Sequence, residues 1–381
     1  MAACWPADAM TLHPSHRVSA VWNFAAGPSR LPDAVLARAG AELFDRGADG
    51  AAAIERPFSG AAFRRVLDDA RERLARLLAV PDNYRVLFLA GGAMHQFSAV
   101  PMNLLDPARG LTRVAYADSG YWSKRAMQEA SRYAQVIVVA GHAGERPLSA
   151  PATGDWRVPP DCAYCHLTAN ETVDGLAYPA WPDTGDVPLV ADATSCFLGA
   201  PFDVSRFGLI YASAQKNIGP AGMTVVIVRE DLLQRPARAA PSPFCYRLQA
   251  ASEAGVNTPP TLAIQLAGMV FEWLADCGGL TAVAAANRRK ADLLYSAIDS
   301  SGGFYTAPVA PGHRSTMNVR FHLTDDSLTE HFLLGAEAAG LTHLRGHRQV
   351  GGLRASLYNA MPLAGVGALV DFMAEFQRRR G

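Results

Sequence analysis

The chain has 381 residues, 50% of them hydrophobic and 18% charged, enough for roughly two to three domains and too apolar for wholesale disorder. Lys plus Arg number 35 and Asp plus Glu number 35, so the formal net charge is zero, which excludes a chain-wide basic surface for nucleic acid and leaves any anionic ligand to a local cluster of cations. No apolar run is long enough to span a bilayer, and six scattered cysteines read as reduced thiols of a cytoplasmic protein.

Residues 1–22 carry Pro6 and Asp8 where a signal peptide needs an apolar stretch, and are expected to be a flexible leader or the product of an upstream start codon. A helical pattern over 70–80 (ARERLARLLAV) then precedes the strand VLFLA (86–90), Gly91-Gly92 and a helix running from Gln96. RVAYA (113–117), helix SKRAMQEASRYA (123–134) and QVIVVA (135–140) come next. AYCHLT (163–168), PLVADAT (188–194), LIYASA (209–214) and MTVVIV (223–228) continue the strands. Short apolar strands alternating with helices predict an α/β unit with a mostly parallel sheet. From about Asn287 the texture changes to helix (NRRKADLLYSAI), strand MNVRFHL (317–323), helix SLTEHFLLGAEAAG, strand RASLY (354–358) and helix GVGALVDFMAEFQRR, an α+β pattern for a second, smaller unit. The expected division is a large domain over 23–275, with its N-terminal segment joining the small one, and a small domain over 276–381.

In open α/β sheets ligands sit outside the carboxyl ends of the strands, and three features occur there. Gly91-Gly92-Ala93 stands between a strand and a helix, where exposed N–H groups could cradle a phosphate, although a Gly-Gly strand exit is also common without one. Asp192 follows the apolar PLVA, a costly place for an unpaired carboxylate, and could be a cap, a metal ligand or the partner of a buried cation. Lys216 lies in AQKNIGPAG between two apolar strands, where it is either a snorkelling lysine on a turn or a desolvated amine available as a nucleophile. Together they suggest pyridoxal 5'-phosphate, which needs a lysine to join its aldehyde, an acid to hold its ring nitrogen protonated and a phosphate cradle. Trp122, beyond another strand end, could stack on the ring.

From about Asn23 to Arg379 the residues resemble the phosphoserine aminotransferases, a class-V family of fold-type-I enzymes using pyridoxal phosphate. The resemblance is carried by NFAAGPSRLP (23–32), GGAMHQFSAVPMNLL (91–105), ANETVDGL (169–176), AQKNIGPAGMTVVIVREDLL (214–233), NTPPTLAIQLAGMVFEWL (257–274) and GHRQVGGLRASLYNAMPLAGV (346–366). It implies a large domain with a seven-stranded, mostly parallel sheet and a smaller C-terminal α+β domain. It also implies that Lys216 is joined to the cofactor and moves the proton, that Asp192 pairs with the ring nitrogen, that Trp122 stacks and that Thr172 touches the cofactor. Ala93 and Met94 would offer N–H groups, and Gln215 a side chain, to the phosphate. Asn257 and Thr258 would reach that phosphate across a homodimer interface. Arg354 would clamp the substrate's α-carboxylate bidentately, and His347 and Arg348 would hold its distal anion. The implied reaction moves an amino group from L-glutamate to 3-phosphohydroxypyruvate, giving O-phospho-L-serine and 2-oxoglutarate for serine synthesis; some members of the family also serve vitamin B6 synthesis.

The chain departs from the family in two places. Where the family has Ser-His-Arg, an ungapped alignment puts Pro57, Phe58 and Ser59, with Arg56 the nearest cation. Losing a charge-assisted pair costs roughly 1.5–3 kcal/mol, about ten- to a hundredfold in affinity. The alternative is therefore a paralogous aminotransferase with a changed acceptor oxo acid in a specialised pathway. The serine of the opening motif is replaced by Ala26. A reading from another class is a catalytically silent cofactor-binding protein, which would have lost the lysine or the aspartate; both are present. Cys162-Ala163-Tyr164-Cys165-His166 fits the c-type haem motif literally, but haem attachment needs export and a zinc site needs a second cysteine pair. His95 reads as a structural histidine or a phosphate contact, and Cys196 as a small core residue.

Overall fold

The computed structural model describes residues 21–47, 50–141, 148–154, 156–236, 240–253 and 255–381, so nearly all of the expected leader lies outside the described residues. Strand β1 (Trp22–Asn23) and helix α1 (Asp33–Glu42) come first. Helix α2 (Ala61–Leu78) starts well before the expected residue 70. Its charged first half hides a stripe of Phe63, Leu67, Ala70, Leu74 and Leu78, all buried on one face. Strand β2 (Tyr84–Ala90), α3 (Ala93–Leu104), β3 (Arg113–Asp118), α4 (Tyr121–Ala130) and β4 (Gln135–Gly141) alternate as the pattern predicts. Then come β5 (Cys162–Thr168), the hairpin strands β6 (Asn170–Glu171) and β7 (Leu176–Ala177), and β8 (Leu189–Asp192), β9 (Leu209–Ser213) and β10 (Met223–Arg229).

Seven of these strands form one sheet in the order β2-β10-β9-β8-β5-β3-β4. Only β10 runs antiparallel to its neighbours, so the fold is the expected α/β with a mostly parallel sheet. Every residue of β5, β8 and β9 is buried, because helices cover both faces. Alternation along the strands divides the side chains: Ala115, Leu167, Ala191 and Ala212 face one core with α2 and the later helix over Thr261–Asp276, while Tyr116, Val190 and Tyr211 face another with α3 and α4.

Helices α5 (Glu230–Leu233), α6 (Tyr246–Ala251), α7 (Thr261–Asp276) and α8 (Gly279–Asp299) lead out of the sheet. The remainder is β11 (Tyr305–Thr306), β12 (Asn318–Leu323), α9 (Thr329–Ala338), β13 (Leu341–Thr342), β14 (Leu353–Ser356) and α10 (Leu363–Arg380). Strands β11, β12 and β14 form a three-stranded antiparallel sheet on a core of its own that includes Leu294, Phe321, Phe332, Leu353 and Leu369. Phe24 joins this core, and β1 pairs with β13, so residues 22–24 are tied to the C-terminal part of the chain. Among the described residues no single helix is long and apolar enough to cross a membrane; α7 and α8 together are, but they bend by 83° at their junction.

Candidate active site

Asp192 is the last residue of β8. The strand stops there, short of the expected Thr194, because the Thr194 N–H folds back to donate to Asp192 Oδ1 at 2.9 Å. After β9 the chain makes one helical turn, with the Gly219 N–H donating to the Ala214 carbonyl at 2.8 Å, and this turn buries the Lys216 side chain. The opening motif holds the turn from outside: the Ser29 hydroxyl donates to the Lys216 carbonyl at 2.6 Å and its N–H to the Gln215 carbonyl at 2.9 Å. Gly27, at φ +141°, lies so close that a Cβ there would stand 3.2 Å from Gln215 Cγ and 3.6 Å from Lys216 Cγ.

Lys216 and Asp192 act on each other inside this enclosure. Burial pushes the Lys216 amine down to about 8, with Asp192 opposing and Arg354 adding to the fall. Burial raises the Asp192 carboxyl, against the Thr194 donors and the Lys216 charge. The Lys216 amine donates to Thr172 Oγ1 at 2.6 Å. The Lys216 side chain is buried, so its amine does not reach solvent as that of a snorkelling lysine would.

Thr172 lies in the turn between β6 and β7, and the same turn holds α4. Glu171 accepts the N–H groups of Trp122 at 2.9 Å and Ser123 at 2.8 Å, and Asp174 accepts that of Tyr121 at 3.0 Å. These carboxylates satisfy first-turn donors that the helix itself leaves open. They thereby fix Trp122, which is half-buried against Tyr121 with ring centroids 5.1 Å apart. Its indole N–H is buried without a partner.

Ala93 and Met94 head α3, whose opening N–H groups have no preceding helical carbonyl to accept them. His95 Nδ1 accepts the Gly92 N–H at 2.9 Å, which makes this histidine a helix cap. Gln215 is half-buried and accepts the Ser213 hydroxyl.

Arg354 comes from β14, in the other sheet, and donates to the Thr172 carbonyl at 3.5 Å; its Nε is buried without a partner. His347 packs its ring 4.9 Å from Tyr121, and burial with Arg354 and Arg348 nearby pushes its imidazolium pKa down. Arg348 is exposed on the same loop. Arg320, opposite Arg354 in the β12–β14 pairing, braces that loop by donating to the Val350 carbonyl at 2.9 Å.

The structure thus brings Lys216, Asp192, Thr172, Trp122 and Arg354 to one place, with His347 at its edge. Asn257 and Thr258 stand exposed on the loop before α7. Arg56 is half-buried at the end of the turn Ala53–Glu55, which packs against α7. Pro57 and Ser59 are exposed, and Phe58 packs on the core of the large sheet. Sequence reading missed Glu171, Asp174 and Arg320. The one available signal was a pair of carboxylates in NETVDG beside an apolar strand; nothing in the sequence marked Arg320.

These groups fit pyridoxal phosphate. An unpartnered indole N–H and guanidinium Nε are buried at the site, helix-opening N–H groups stand ready for a phosphate, and a buried carboxylate faces the amine. Comparison with known proteins agrees. The profile of the family described as aminotransferase class-V matches residues 21–369. A phosphoserine aminotransferase of Acidithiobacillus ferrooxidans is 49% identical over 361 residues, 95% of this chain and 99% of that protein. The solved phosphoserine aminotransferase from Bacillus circulans subsp. alkalophilus superposes with TM-score 0.92 at 42% identity, covering 96% of this chain and all of that one. A pyridoxal-phosphate-bound phosphoserine aminotransferase from Trichomonas vaginalis superposes with TM-score 0.88 at 39% identity, over 93% of this chain and 100% of that one.

Proposed function

The chain belongs to the class-V aminotransferases and, within them, to the phosphoserine aminotransferases, and from that premise we propose that it transfers the amino group of L-glutamate to 3-phosphohydroxypyruvate. It is an aminotransferase whose cofactor is pyridoxal phosphate. The buried Lys216–Asp192 pair, with Arg354 of the second sheet reaching the carbonyl of the Thr172 that holds the lysine, carries this reading. When bound, the cofactor supplies an aldehyde to receive the amino group and a ring that withdraws electrons from the substrate's Cα.

The protein's own groups do the rest. Lys216, with its amine lowered to about 8, has a neutral fraction at working pH and removes the Cα proton and returns it on the other side of the transfer. Asp192 keeps the ring nitrogen protonated. Trp122 would stack on the ring, and Thr172 holds the lysine when it is not engaged. Ala93, Met94 and Gln215 bind the phosphate, completed by Asn257 and Thr258 from a second copy in a homodimer. Their exposure in the single chain supports that role. Arg354 orients the α-carboxylate by two parallel bonds. His347, Arg348 and Arg56 receive the distal anion. We place the protein in the cytoplasm and divide it near residue 275 into the two units that the separate cores suggest.

The second reading, a changed acceptor, is favoured by one observation: Phe58 packs on the core where the family carries a cation. Turnover with glutamate decides. Preference for phosphohydroxypyruvate over pyruvate-like, non-phosphorylated acceptors supports the first reading; preference for an uncharged acceptor overturns it.

A further inference from the structure

Three successive carbonyls beyond β8, those of Phe197, Leu198 and Gly199, each accept an asparagine side chain from a different part of the chain. Asn217, the residue after Lys216, donates to Phe197 at 3.0 Å. Asn359, in the stretch that follows β14, donates to Leu198 at 3.0 Å. Asn287 of α8 donates to Gly199 at 2.9 Å. The asparagines are also joined to one another: Asn217 Oδ1 accepts the Asn359 N–H at 2.9 Å, and Asn359 Oδ1 accepts the Asn287 side chain at 2.8 Å. All three are buried. Leu198 stands at φ +60°, a left-handed conformation that costs a residue other than glycine roughly 1–3 kcal/mol and persists only where the surroundings hold it.

The stretch after β14 is pinned by other groups as well. Lys290, on the same face of α8 as Asn287, donates to the Leu357 and Tyr358 carbonyls at 2.9 and 2.8 Å. Its amine is buried, a costly place unless partners such as these take up its protons. Nearer Thr172, Asn318 of β12 accepts the Asn170 side chain of β6 at 2.9 Å and donates to the Tyr358 hydroxyl at 3.1 Å, which donates to the Ala26 carbonyl at 3.0 Å. Drawing β14 away from the large sheet would strand these buried groups at a cost of roughly 1–3 kcal/mol each. We propose that Asn359, joined to Asn217 and Asn287, is a positioning residue: this clamp fixes Arg354 against the Lys216 turn, so that substrate meets a carboxylate site assembled before it arrives. The inference rests on the reading of Arg354 as the holder of the α-carboxylate and of Lys216 as the catalytic amine.

The test uses the full chain loaded with pyridoxal phosphate. KM and kcat for L-glutamate, Kd for the cofactor and Tm are measured in wild type, Asn359→Ala, Asn287→Ala and Arg354→Lys, and in each alanine variant combined with Arg354→Lys. Asn359→Ala removes the side-chain bonds to Leu198 and Asn287 and should raise KM by roughly three- to tenfold, with a smaller change in kcat and a wild-type Kd for the cofactor. Asn287→Ala should move KM in the same direction by less. A residue that acts through Arg354 has little left to position once the bidentate pair is gone, so the two effects on KM should combine to less than their product. A folded Asn359→Ala chain with wild-type KM overturns the proposal, however far its Tm has fallen, and so do effects on KM that multiply in full. If Asn359→Ala does not fold, Asn287→Ala, which leaves the bonds from Asn359 to Asn217 and Leu198 in place, decides by the same readouts. Wild-type KM in Arg354→Lys would instead overturn the reading of that arginine, and with it the proposal; a raised KM there beside an unmoved one in Asn359→Ala overturns the proposal alone.

Discussion

Replacing Glu171 by Gln should remove a pH dependence of folding that the natural chain carries. The Glu171 side chain is fully buried between the β6–β7 turn and the start of α4. Burial pushes its carboxyl up from 4.5 to about 7, with Asp174 adding and the Ser123 and Trp122 N–H groups opposing. A carboxyl whose folded pKa lies above its unfolded one contributes stability that is fully present below the unfolded value and is lost as the pH rises through the folded value. The rise from 4.5 to about 7 corresponds to about 3 kcal/mol. The Glu171→Gln chain has no such group, so its stability should stay flat across that window where wild type declines. It should also carry a pH-independent penalty of roughly 1–3 kcal/mol, because the new amide NH2 opposes the Trp122 N–H. Urea unfolding of the cofactor-free protein on both sides of the window, followed by circular dichroism, measures the two slopes. Equal slopes in the two chains would refute the assignment of a buried, protonatable carboxyl here. A penalty confined to high pH would refute the donor–donor clash.

Three other substitutions probe the site from different sides. Lys216→Ala should bind cofactor without covalent attachment, so that borohydride leaves no label detectable by mass spectrometry, and should not turn over; full activity would exclude Lys216 as the catalytic amine. Arg354→Lys should raise KM for both amino donor and acceptor by roughly ten- to a hundredfold through loss of the bidentate pair while leaving the Kd for pyridoxal phosphate unchanged, and an unchanged KM would separate this arginine from the substrate. Gly27→Ala forces a side chain into φ +141° and against Gln215 and Lys216, at a cost of roughly 1–3 kcal/mol; a lower Tm and slower covalent attachment of the cofactor are expected, and wild-type values of both would show that the lysine turn does not depend on this contact.

Much of this protein is written in short-range pattern. The buried strands could be found because both faces of the sheet are covered, so each strand reads as a continuous apolar run such as VLFLA or LIYASA. Lys216 and Asp192 stood out for the same reason, as charges set against that background. Pairing decided what periodicity could not. The order β2-β10-β9-β8-β5-β3-β4, with β10 reversed, depends on contacts between residues far apart in the chain, which no local run of side chains encodes. The carboxylates of NETVDG became helix caps only when the β6–β7 hairpin met α4, and Arg354 reached Thr172 only when the second sheet closed over the first. Tyr211 and His166 read as ordinary members of apolar strands. Their hydroxyl and imidazole meet at 2.8 Å only because parallel register sets β5, β8 and β9 side by side.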